Sequence, residues 1–287
     1  MSRLFDALQR SGVEQTGVEY PDTVSVATQV FEMPTKEEEA PSSSLPVFPS
    51  VEVSLEASSR VVVLTEPETL AAEKFRFLGV RMRQLQQTRP VKKVLVTSTI
   101  AEEGKSLVSA NLACVLASRK RHRVLLIDGD LRRPVLADKF GLGRLSGLAE
   151  WLQGESQTVS NIYHLAEPDF WLMPAGHPPA NPLELMQSGR LASLMAQVTN
   201  LFDWIIVDSP PLLPLADTSV WARLTDGALL VVREGIAEKD PLKRALESLK
   251  KADLLGVVLN GSSNGNHHKG KCAKHRSLGL HKSLHPV

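Results

Sequence analysis

The sequence predicts an α/β fold: a doubly wound, mostly parallel sheet with helices on both faces. Two observations carry that reading. Six short runs, at 94–96, 124–127, 171–173, 204–207, 228–232 and 255–259, are apolar throughout rather than alternating, as strands buried on both faces are. Helical periodicity fills the gaps between them, notably over 105–118, 189–200 and 238–252. Strand alternating with helix builds a parallel sheet.

Taken in chain order, residues 2–10 have Leu4, Phe5 and Leu8 on one side of a short helix. So short a helix is marginal in water and serves either as a docking peptide or as a frayed end. Residues 34–60 are rich in Pro, Ser and Glu and read as a linker. The chain therefore divides into a largely disordered acidic arm and linker over 1–60, a domain over 61–261 and a basic, His-rich tail over 262–287. Thr65-Glu66-Pro67-Glu68 has the form of a capping box with Pro in the first turn. Ala71, Phe75, Leu78, Met82 and Leu85 then recur at helical spacing.

With 287 residues the chain can bury a sizeable core. Its net charge of +1 gives no bulk attraction to nucleic acid, and no nucleic-acid partner is expected. Two cysteines, Cys114 and Cys272, are too few for a disulfide framework, which points to a reducing cytoplasm. Cys114 falls in an apolar helical pattern, as a packed core thiol does. No apolar run approaches the ~20 residues that cross a bilayer, and residues 1–13 hold no signal-peptide core. Work at a membrane would need another protein to bring this one there. The tail carries His267, His268, Cys272, His275, His281 and His285. Their spacing matches no zinc module, and a basic tail facing an acidic partner or lipid is the plainer reading.

Three strand ends carry the chemistry. The first runs through Ser98-Thr99-Ile100-Ala101-Glu102-Glu103-Gly104-Lys105-Ser106 into a helix. That is the arrangement of a phosphate loop, whose backbone N–H groups and helix N-terminus surround an anion. Glu103, Gly104, Lys105, Ser106 and Leu107 form the cradle. Lys105 reaches the terminal phosphates, and the Ser106 hydroxyl holds Mg²⁺. Thr99 stands where the motif has its first glycine. Glu102 and Glu103 are tolerable beside a polyanion if they point to solvent. The second strand end is Asp128-Gly129-Asp130-Leu131-Arg132-Arg133-Pro134, and the third is Asp208-Ser209-Pro210-Pro211. Ligands of open α/β sheets bind outside such carboxyl ends, and Mg²⁺ there takes one or two carboxylates with phosphate oxygens and water. A single aspartate after a strand is usually a turn or cap residue; three, beside a Gly-Lys-Ser loop, make a site for ATP with Mg²⁺. Ser106, Asp130 and Asp208 are the metal candidates.

As a set, these motifs resemble the P-loop ATPases of the MinD/ParA class. They are most similar to the cytoplasmic domain of bacterial tyrosine kinases, the CpsD/CapB family of capsule and exopolysaccharide synthesis. The resemblance runs from about Val61 to Gly261 and includes Pro-Ala-Gly at 174–176, Asn-Pro-Leu-Glu-Leu at 181–185 and Asp217. It implies that Lys105 and Ser106 serve phosphate and Mg²⁺ and that Asp128 helps deprotonate an acceptor tyrosine. It also implies that Asp130 supports the metal and that Asp208 is the Walker B carboxylate. The four residues Lys105, Asp128, Asp130 and Asp208 would thus carry catalysis. It further implies a separate transmembrane co-polymerase that activates the kinase, and a location at the inner face of the plasma membrane through that partner.

The chain departs from the family in three places. The tail has no tyrosine cluster; the two tyrosines are Tyr20, in the acidic arm, and Tyr163, inside the predicted domain. The subunit-contact motif keeps Glu73 and Arg76 but has Gly79 where a second arginine belongs, which leaves homo-oligomer formation open. Ile100 occupies the position of the signature lysine of MinD and ParA proteins. Two alternatives therefore stand beside the kinase: an ATPase switch acting with a membrane partner without tyrosine phosphorylation, and a module that binds nucleotide without chemistry.

Overall fold

A computed structural model describes residues 46–261 except 119–121, 156–159, 214–215, 237–238 and 250–251. The helix expected over 2–10, Tyr20 and the His-rich tail lie outside the described residues.

The first strand, β1 (Ser50–Val51), precedes residue 61, where composition placed the start of the domain. It pairs with β4 (Tyr163–Leu165), and Phe48 just before it is buried against Phe202, with ring centroids 6.0 Å apart. Two residues in a Pro- and Ser-rich segment have no period to detect. Their place is fixed by the edge they pair with.

The remaining order is α1 (Val62–Thr65), α2 (Leu70–Thr88), β2 (Lys93–Ser98), α3 (Lys105–Ala117), β3 (Val124–Asp128), α4 (Leu136–Lys139), α5 (Leu148–Gln153), β4, β5 (Phe170–Met173), α6 (Pro182–Met186), α7 (Arg190–Leu201), β6 (Trp204–Asp208), α8 (Asp217–Ala222), β7 (Gly227–Arg233), α9 (Lys239–Ser248) and β8 (Leu254–Asn260). The cap expected at Thr65 falls instead on Thr69, whose side chain accepts from the Ala72 amide at 3.3 Å. Thr65 closes the single turn α1, because its amide and hydroxyl are both bonded to the Val61 carbonyl.

Among the described residues the sheet has eight strands in the order β1-β4-β5-β3-β6-β2-β7-β8. Every neighbouring pair from β5 to β8 is parallel, and only β4 against β5 is antiparallel. All six apolar runs are strands in it. Alternate residues feed two cores, as strand geometry requires. Leu95, Leu125, Ile205 and Leu230 pack against α5, α7, α8 and α9 on one face. Val94, Leu126, Ile206 and Val231 pack against α2 and α3 on the other.

The helix α3 is sandwiched between the sheet and α2, so it is apolar nearly all round. On its other side α2 comes in close at Gly79. A Cβ built there would lie 2.3 Å from Val115 Cγ1 of α3. Gly79, read from sequence as a lost arginine of a contact motif, is thus a packing residue on the buried side of its helix, while Glu73 and Arg76 pair with each other on the exposed side.

Gly79→Ala gains up to ~1 kcal/mol of helix propensity but must displace a stiff β-branched neighbour, which typically costs ~1–3 kcal/mol. Urea unfolding should show a net loss of stability for this variant. The loss should shrink when Val115→Ala is added, relative to Val115→Ala alone; additive losses would mean that the close approach does not constrain the fold.

Candidate functional site

The strands β3, β6 and β2 are neighbours, and their carboxyl ends carry the three motifs. Asp128 and Asp208 are paired in register across β3 and β6, and Val96 pairs with Asp208 across β2 and β6. Sheet pairing alone therefore sets two carboxylates side by side at the mouth of the loop after β2. Both are buried, as is Asp130.

Lys105, the first residue of α3, stands among them. Its Nζ lies 3.3 Å from Asp130 Oδ2 and 3.4 Å from Ser106 Oγ. Burial pulls the ammonium's pKa down, but Asp208, Asp130 and Asp128 together outweigh that and hold it above its ordinary value. Burial drives the Asp208 carboxyl up, against the pull of Lys105. Burial, then Asp208, push Asp128 up to about 7, although the Val135 and Leu136 amides donate to its Oδ2 at 3.1 and 2.9 Å. Lys105 and the half-buried Lys139, which also feels Asp208, are two ammoniums against three buried carboxylates, an arrangement short of positive charge that a divalent cation relieves.

The loop is braced from within. Glu103, expected among the cradle residues and tolerable there if turned to solvent, is fully buried. Its Oε2 accepts from the Ile100 amide at 2.9 Å and its Oε1 from the Arg233 amide at 3.3 Å. Its carboxylate is thus committed to the loop and to the end of β7. Glu102 is exposed with φ of 67°, a conformation uncommon for a non-glycine residue. Gly104 has φ of 95°, and a Cβ there would meet Asn260 Nδ2 at 2.1 Å. That amide donates to the Glu103 carbonyl at 2.8 Å, tying the loop to the end of β8. Leu107 packs its side chain on the core, so only its amide, one of the first few of α3 and without an intrahelical acceptor, is left to serve a ligand.

The structure brings Lys105, Ser106, Asp128, Asp130 and Asp208 together, and it adds partners that motif reading passed over. Ser109 Oγ lies 3.1 Å from Asp208 Oδ1 and 3.0 Å from the Lys105 carbonyl; its position one turn after Ser106 was the available signal. Arg132 forms a two-pronged pair with buried Asp217, Nε to Oδ2 at 2.6 Å and Nη2 to Oδ1 at 3.2 Å. Trp221 Nε1 donates to the Gly129 carbonyl at 3.2 Å. These two contacts pin the loop after β3 to α8, and only tertiary proximity reveals them. Tyr163 is a half-buried strand residue opposite Leu172.

Two buried oxygens have no hydrogen-bond partner among the described residues, Asp208 Oδ2 and Thr99 Oγ1. An ionised carboxylate oxygen only accepts, and leaving one buried and unmet is costly. Asp208 Oδ2 therefore suits a metal ion or its water, and the residues present fit Mg²⁺.

The raised pKa of Asp128 has a consequence for stability. Its ordinary value is 3.8 and its folded value about 7. Between these the unfolded chain has lost a proton that the folded chain keeps, so this group's contribution falls as pH rises through that window and stays low above it. Asp128→Asn should remove the penalty. Without nucleotide the variant should melt higher than wild type at pH 8, by an amount on the order of 1–4 kcal/mol. The two should converge near pH 4, and an unchanged difference across that range would show that Asp128 does not titrate this way.

Known proteins match this architecture. The model of the CobQ/CobB/MinD/ParA nucleotide binding domain matches residues 94–275. Tyrosine-protein kinase YwqD of Bacillus subtilis is 34% identical over 209 residues, covering 72% of this chain and 88% of that one. Putative tyrosine-protein kinase CapB of Staphylococcus aureus is 31% identical, covering 70% and 89%. The solved kinase domain of Escherichia coli tyrosine kinase ETK is 27% identical, with a TM-score of 0.65 over 78% of this chain and 84% of that one. Against the longer tyrosine-protein kinase wzc of Salmonella typhi, the match spans 28% of that protein. Motifs, strand order and relatives agree: this chain belongs to the CobQ/CobB/MinD/ParA nucleotide-binding proteins and, among them, to the bacterial tyrosine-protein kinase family.

Proposed function

We propose that this protein is an ATP-dependent protein-tyrosine kinase serving capsule or exopolysaccharide synthesis and export, and that it acts with Mg²⁺. The observation that carries this reading is the convergence of Lys105, Asp128, Asp130 and Asp208 at three adjacent strand ends. Phosphoryl transfer asks a protein chiefly for positioning and for charge neutralisation, and these residues supply both. The amides at the start of α3 and the Lys105 ammonium hold the polyphosphate. Ser106, Asp130 and Asp208 would hold Mg²⁺, which when bound offsets phosphate charge. The Asp128 carboxylate, paired in register beside Asp208, is placed to take a proton from an attacking phenol, whose own pKa is ~10.

A membrane-spanning partner belongs to the same reading. No helix among the described residues is long and apolar enough to cross a membrane, while most of the length of the longer relatives lies outside the match. A separate co-polymerase that activates the kinase would bring it to the inner face of the plasma membrane.

Incubated with Mg-ATP, the purified protein should become phosphotyrosine-positive, or should label a tyrosine-bearing partner. Lys105→Met should lower that signal by at least ~100-fold, the scale of losing a transition-state charge contact, in protein shown by circular dichroism to be folded at the assay temperature. ATP hydrolysis with no phosphotyrosine on any protein would favour the ATPase-switch reading. Glu103→Ala tests the loop brace: it should weaken nucleotide binding by about tenfold, the scale of one lost buried hydrogen-bonded contact (~1.4 kcal/mol). Unchanged affinity in titration calorimetry would show that the loop holds its shape without that carboxylate.

A further inference from the structure

A cleft of about 330 Å³ is lined in part by Asp128. Pro174-Ala175-Gly176, just after β5, line it together with Arg144, His177 and Asp138. The cleft is a built feature. Glu150, a buried residue of α5, accepts from the Gly147 amide at 2.6 Å and from the His177 amide at 2.9 Å, and it holds His177 Nδ1 at 2.6 Å. One carboxylate thus fixes both the start of α5 and the wall carrying His177. At the small end of the ~300–1,000 Å³ range of ligand pockets, the cleft suits one side chain with its flanking backbone better than a nucleotide.

Something must deliver a hydroxyl to Asp128, and the chain has two tyrosines. Tyr163 is held in β4, which is paired on both sides, to β1 and to β5; its hydroxyl has no freedom to travel. Tyr20 lies 26 residues before Pro46, the first described residue. An extended chain of that length spans up to ~90 Å, about twice the ~45 Å width of a domain this size, so reach is no obstacle. Glu14, Glu19 and Asp22 surround Tyr20, and no Lys or Arg occurs from residue 11 to 35. On the cleft, Arg144 is exposed and makes no ion pair among the described residues, so it is available to an acidic segment.

We infer that this cleft admits the acidic segment around Tyr20 and that Tyr20 is the chain's own phosphorylation site. The inference rests on the kinase reading above. The Tyr20 oxygen forms a bond to the γ-phosphorus of ATP, the bond from that phosphorus to the bridging oxygen breaks, ADP leaves, and the phenolic proton passes to the Asp128 carboxylate at the end of the cleft.

The full-length protein with Mg-ATP is the test, read by phosphopeptide mass spectrometry. Phosphate should appear on Tyr20 and not on Tyr163, and Tyr20→Phe should abolish self-labelling. The Tyr20→Phe protein should still phosphorylate a synthetic peptide of residues 14–26. Arg144→Glu should lower kcat/KM for that peptide by about tenfold or more, the effect of setting like charges together, while nucleotide affinity stays at the wild-type value. A peptide with Lys at positions 14, 19 and 22 should reverse the preference, favouring Arg144→Glu over wild type; a merely structural role for Arg144 would not produce that exchange. Self-labelling that survives Tyr20→Phe, or equal use of both peptides by both proteins, overturns the inference and leaves the kinase intact. ATP binding with no label on protein or peptide overturns the kinase reading and this inference together.

Discussion

The site depends on one electrostatic constraint: the buried ammonium of Lys105 stands among three buried carboxylates, Asp128, Asp130 and Asp208. Parallel pairing of β3 with β6 fixes Asp128 beside Asp208. Two buried carboxylates so placed repel each other and resist ionisation. The fold retains the cost because both faces of the sheet are packed and the strands cannot slip without exposing their cores. The result is a cluster of buried carboxylates around an ammonium, which suits a cation.

Around that constraint the loops are restrained by contacts with the elements beside them. The phosphate loop is held by Glu103, buried and bonded to β7, and by Asn260 at the end of β8. The loop after β3 is held by Arg132 to Asp217 and by Trp221 to Gly129. Each brace comes from a strand or helix distant in sequence. Loops that position charges within a few tenths of an ångström need such supports, and here the supports draw on β7, β8 and α8, so the integrity of the far edge of the sheet bears on the nucleotide site.

The α2–α3 contact shows how one position can change meaning with context. In a family motif, an arginine at residue 79 belongs to a surface between subunits. In this chain glycine there lets two helices approach closely, and α3, whose first turn presents Lys105 and Ser106, is seated on the sheet in part by that approach. The substitution ties the back of the molecule to the placement of its phosphate-binding helix.

All the central strands were legible, because a strand buried on both faces must be apolar throughout and nothing else of that length looks the same. The phosphate loop and the aspartates at 128, 130 and 208 were legible too, because each follows its strand directly and local order fixes which end of the sheet it occupies. The edge strand at Ser50–Val51 and the antiparallel Tyr163–Leu165 were not, since strands of two and three residues carry no period. Nor was the inward turn of Glu103: a carboxylate beside a polyanion belongs in solvent unless donors meet it, and here the amides of Ile100 and Arg233 do.

By itself, then, the sequence determined the order of the central strands and helices and which charged residues stand at the strand ends. The tertiary structure alone decided which carboxylates face one another, which groups restrain the loops and where a cleft opens beside Asp128. Pattern and propensity act between residues a few positions apart. Pairing between strands, burial of charge and the meeting of Arg132 with Asp217, 85 positions on, act between residues far apart in the chain, and only folding brings them into contact.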